Sequence, residues 1–62
     1  MGITVVGSSP ERTKELQGIA NKLMSKNNYS THAIMHYLGM HKNVSASLYE
    51  DNGALTMHCK DR

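Results

Sequence analysis

Sixty-two residues with no Trp, no Phe and one Cys make a single domain, 1–62, in which roughly 60% of the unfolded chain's surface can be buried, so the core is thin. The lone Cys59 excludes an internal disulfide, and no stretch approaches the roughly 18 apolar residues of a membrane span. A net charge of +2, spread along the chain, excludes the clustered basic stripe typical of nucleic-acid binders.

From the N-terminus, Ile3-Thr4-Val5-Val6 is short and rich in β-branched residues, bounded by Gly7-Ser8-Ser9-Pro10, which predicts a strand followed by a break. Ser8 or Ser9 then caps a helix: Ser8 and Glu11 have the spacing of a capping box, and Pro10 suits a first turn. Leu16, Ile19, Ala20, Leu23 and Met24 repeat at helical spacing, and Asn27-Asn28 ends the helix. Gly18 costs that helix about 1 kcal/mol relative to Ala.

The segment from Ser30 to Met40 supports two readings. As a helix, Ser30 caps it, Ala33, Ile34, Tyr37 and Leu38 form its apolar stripe, and Gly39 stops it. As a strand, Ala33, Met35 and Tyr37 line one face and His32, Ile34, His36 and Leu38 the other. The strand is favoured, because one amphipathic helix can cover one face of a four-stranded sheet in so small a core. The expected fold is therefore α+β: one amphipathic helix packed on a small, mostly antiparallel sheet that ends in a C-terminal hairpin. Its order is β-α-β-β-β, with β-α-α-β-β as the alternative.

Asn52-Gly53 between two alternating stretches, Val44 to Glu50 and Leu55 to Cys59, predicts the hairpin. A two-residue loop pairs Leu48 with Met57 and Ala46 with Cys59 on one face, and Tyr49 with Thr56, Ser47 with His58 and Ser45 with Lys60 on the other. A three-residue loop mixes the faces, which a sheet with one buried side disfavours.

Four histidines, three of them following a Met, raise the question of soft-metal binding, and His32 and His36 share a helix face if that segment is helical. No CxxC or HExxH pattern completes a site, so no metal or other cofactor is expected. The hairpin register puts Cys59 on the core face, away from His58, which disfavours a nucleophile. Gly7-Ser8-Ser9 ahead of a helix start could cradle an anion but lacks the P-loop ending. No catalytic residues are identified, and the chain is not expected to be an enzyme.

Val5-Val6-Gly7-Ser8-Ser9-Pro10-Glu11 resembles the strand-to-helix turn of dodecins, small flavin binders, although no Trp is present to stack on a flavin. The order of strand, Glu11-to-Lys26 helix, strand and hairpin is similar to that of tautomerase-superfamily subunits, which trimerise or hexamerise. Their activity rests on an N-terminal Pro, and here Gly2 follows Met1. Ile34-Met35-His36-Tyr37-Leu38-Gly39-Met40 resembles the first helix and turn of a helix-turn-helix, but Val44 to Tyr49 alternates like a strand where a recognition helix should follow.

The leading functional expectation is a non-enzymatic module, a regulator or inhibitor, that binds another protein or itself as a homo-oligomer. A sheet edge along Leu55, Met57, His58 and Lys60 is the expected docking surface. Short Met- and Asn-rich chains of this style are frequent among phage and mobile-element genes. The alternatives are a nucleic-acid-binding regulator using Lys14, Lys22, Lys26, Lys42, Lys60 and Arg62, and an oligomeric small-ligand binder or tautomerase-like subunit. With neither a membrane span nor a signal-peptide pattern, the expected setting is cytoplasmic, without a membrane partner.

Overall fold

The computed structural model describes residues 3–62, and their order is β-α-α-β-β: β1 (Thr4–Val6), α1 (Pro10–Lys26), α2 (Thr31–His41), β2 (Val44–Asp51) and β3 (Ala54–Asp61). The fold is α+β and ends in the expected hairpin. The sheet order is β1-β3-β2, with β2 antiparallel to β3 and β1 parallel to it. The sheet is mixed, and its pairing is mostly antiparallel as expected: eight residue pairs join β2 to β3 and three join β1 to β3.

The hairpin register is the predicted one: Leu48 faces Met57, Ala46 faces Cys59, and Glu50 faces Leu55. Asn52 and Gly53 have φ of 52° and 82°, the positive values at both central positions that a two-residue type I′ loop requires. Met57, Cys59 and Val44 lie buried on the inner face with Val5 of β1. Thr4, Val6, Ser47, Tyr49 and His58 are left on the outer face, which no helix covers; there the Tyr49 and His58 rings meet edge-on at 4.9 Å.

Ser9, not Ser8, caps α1: its Oγ accepts the Arg12 N–H at 3.1 Å, with Pro10 in the first turn. That register puts Arg12 where a capping box needs Glu, so the box does not form. Ser8 Oγ instead donates to Asp61 Oδ2 across 2.7 Å. Leu16, Ala20 and Leu23 are buried, with Ile19 and Met24 packed beside them, which is the predicted stripe. Asn28, at φ 58°, closes the helix as the Tyr29 N–H returns to the Leu23 carbonyl.

The segment from Ser30 to Met40 is helical, which corrects the favoured strand reading and gives two helices where one was expected. Ser30 Oγ accepts from the Ala33 N–H, and Ile34 and Leu38, four residues apart, are both fully buried. The physical reason lies in the sheet. Two eight-residue strands present an inner face wider than one helix can cover, and α2 seals the β2 side. Gly39 does not stop α2; the helix runs on to His41, and Asn43 at φ 55° makes the turn into β2.

Candidate functional site

The two edges of the sheet are treated differently. β1 forms one edge, and side chains of α1 satisfy its outward backbone groups. Thr13 Oγ1 accepts the Gly7 N–H at 2.8 Å, Gln17 Oε1 accepts the Val5 N–H at 2.7 Å, and Gln17 Nε2 donates to the Ile3 carbonyl at 2.9 Å. Asn21 Oδ1 steadies that amide at 3.0 Å. Thr13, Gln17 and Asn21, spaced by four on one helix row, therefore stand in for a missing strand.

β2 forms the other edge and has no such cover among the described residues. The Arg62 N–H donates to the Asn43 carbonyl at 3.2 Å, and antiparallel pairs alternate along the ladder. The backbone groups of Val44, Ala46, Leu48 and Glu50 therefore face away from β3. Beside them runs an open groove of about 710 Å³ between β2 and the flank of α2 that carries His32, Met35, His36, Gly39 and Met40. The strand side of the groove is built by Asn43 to Ala46, and Arg62 closes one end.

The groove mixes apolar and polar side chains. Met35 and Met40 are its large apolar side chains, Met40 being 68% exposed, and the two adapt readily to an incoming surface. His32, His36 and Arg62 line it as well, and no acidic residue lines it among the described residues. His32 and His36 do share one flank of α2, but among the described residues no group of three or more His, Cys, Asp or Glu is placed to hold a metal.

Arg12 ties the N-terminus of α1 to the rest of the molecule. Its guanidinium pairs with Glu15 at 2.8 Å and Asp61 at 3.5 Å and donates to the Lys42 carbonyl at the end of α2. Lys42 Nζ returns to Glu15 at 3.3 Å. Hydrogen bonds from Arg12 and then Lys42 hold the Glu15 carboxyl below its ordinary value, and Glu15 raises Arg12 in turn. In the Gly7-Ser8-Ser9 turn the Gly7 N–H is taken up by Thr13, the Ser8 hydroxyl by Asp61, and the Ser9 hydroxyl by the Arg12 N–H.

The sequence-derived docking edge is misplaced. β3 is the middle strand, paired with β1 over Thr56 to His58 and with β2 along its other side, so Leu55 to Lys60 offers no free edge there. Met57 is fully buried in the core, Leu55 lies beside the turn, and His58 and Lys60 point out from the uncovered face. The six cations do not converge. Lys14, Lys22 and Lys26 are exposed along α1, Lys42 is paired with Glu15, Lys60 lies on the outer face and Arg62 in the groove. Cys59 is buried as expected, and burial pushes its thiol up despite the nearby Arg12 charge. The helix resembling the first half of a helix-turn-helix exists, but β2 follows it.

Comparison with known proteins finds no matching family model, no matching curated protein and no matching solved structure. No helix among the described residues is long and apolar enough to cross a membrane.

Proposed function

We propose that this chain is a small non-catalytic binding module that accepts an extended strand of a protein partner along β2, beneath the flank of α2. It acts as a regulator or inhibitor by occupying that strand. One observation carries this reading: of the two sheet edges, β1 is satisfied by Thr13 and Gln17 while the outward backbone groups of β2 border an open groove of mixed polarity. Strand addition supplies affinity through main-chain hydrogen bonds and specificity through the neighbouring side chains, here Met35 and Met40.

The test is Ala46→Pro. It removes an outward N–H, and proline is tolerated on edge strands, so the fold should survive with its thermal transition retained. Tagged wild-type, Ala46→Pro and Tyr49→Ala chains are expressed in the host of origin, and co-purifying proteins are identified by mass spectrometry, further copies of the chain included. The expected result is a defined partner retained by wild type and Tyr49→Ala and lost from Ala46→Pro. Equal recovery by all three, or no partner at all, refutes docking on β2.

A further inference from the structure

We propose that the strand added to β2 is the β2 of a second copy, antiparallel about a two-fold axis through Ala46. The inference rests on the strand-addition reading above and names its partner. Across a two-fold axis the outward residues of one β2 must meet the outward residues of the other, which leaves three registers, with the axis at Ala46, Ser47 or Leu48. With the axis at Ala46, Val44 meets Leu48 of the second copy twice over, apolar against apolar, and Ser45 meets Ser47 on the outer face. With the axis at Ser47, Glu50 is set against the fully buried Val44, and with the axis at Leu48 it is set against Ala46, which packs on the core; both put a carboxylate against an apolar side chain. The first register is favoured.

Charge points the same way. Among the described residues the groove carries the cation Arg62 and no acid, so the strand it takes should be acidic at the matching end. β2 is such a strand. In the Ala46 register Glu50 passes beyond Val44 of the other copy and comes opposite its Lys42, with Asn43, at the edge of the groove, opposite Tyr49. The same symmetry sets the two α2 helices on one side of a continuous six-stranded sheet. Met40, 68% exposed in the single chain, then gains an apolar neighbour.

Ser45 and Ser47 are exposed and make the register testable without touching the core. In this register they form a pair without ladder hydrogen bonds, with Cα atoms about 4.5 Å apart, inside the range a disulfide spans, whereas Ser47 lies about 7–8 Å from its own copy. Purified Ser45→Cys and Ser47→Cys chains are oxidised separately and as an equal mixture, beside sedimentation of the wild type. A wild-type dimer, weakened at least about tenfold by Ala46→Pro through lost ladder bonds, and a disulfide-linked dimer from the mixture alone are expected. Cross-linking of Ser47→Cys by itself overturns the register. A wild-type monomer at every concentration overturns the second copy as partner. If a different protein is then still lost on Ala46→Pro, strand addition stands without self-pairing; if none is, both fall.

Discussion

Gln17 shows how much one uncharged side chain can decide. Its amide both accepts from Val5 and donates to Ile3, a two-way match that a carboxylate cannot make because it has no proton to give. Gln17→Glu should therefore lose about 1–3 kcal/mol of stability in chemical denaturation, the cost of an unpaired carbonyl at a partly buried site. Asn21→Ala, which removes only the exposed steadying bond, should stay within about 0.5 kcal/mol of wild type. The role of Gln17 had a trace in the sequence, since Thr13, Gln17 and Asn21 form an uncharged polar row beside the apolar stripe of α1. Such rows are usually solvated, and only the position of β1 gives this one a task. Cys59 was legible for the opposite reason: one register fixed its face.

Among the elements, the hairpin was readable to the residue and α2 was not. Asn52-Gly53 demands a backbone that few other pairs adopt, and the side-chain period of two then fixes every pair from Ser45 to Lys60. Ser30 to Met40 has no comparable anchor. Its apolar residues fit both periods, and the choice fell to the width of the sheet that α2 must cover. β1 is shorter still, and three β-branched residues carry no instruction about which strand they join. The joint between elements has its own signature in acid. Glu15 is held below its ordinary value near 4.5 by Arg12 and Lys42, so the unfolded chain takes up its proton at higher pH than the folded one. Its contribution is complete above about 4.5 and disappears as pH falls through the folded value. The stability difference between wild type and Glu15→Gln, followed by thermal melts across that range, should shrink on acidification and close at the acid end.

At the scale of the whole molecule, a core of ten buried apolar side chains among the described residues and an uncovered edge belong together. If pairing through β2 supplies part of the stability, the melting midpoint of the wild type should rise with protein concentration, and that of Ala46→Pro should not. Calorimetry at two concentrations distinguishes them, and an immobile wild-type midpoint removes association from the stability of the fold. The site itself was half legible: an open strand edge was foreseen, but on β3, because nothing in Thr4–Val6 announces that it will take the inner position's other side.

The covered edge sets the difference between a closed assembly and an open one. β1 is the shortest element and is held from outside by two side chains, so it is the piece that local opening releases first. Its release bares β3 from Thr56 to His58, and a chain with two bare edges joins neighbours on both sides, with no symmetry to end the series. If β2 pairs with a second copy, Thr13 and Gln17 are in that sense chain terminators, standing between a pair and a fibre.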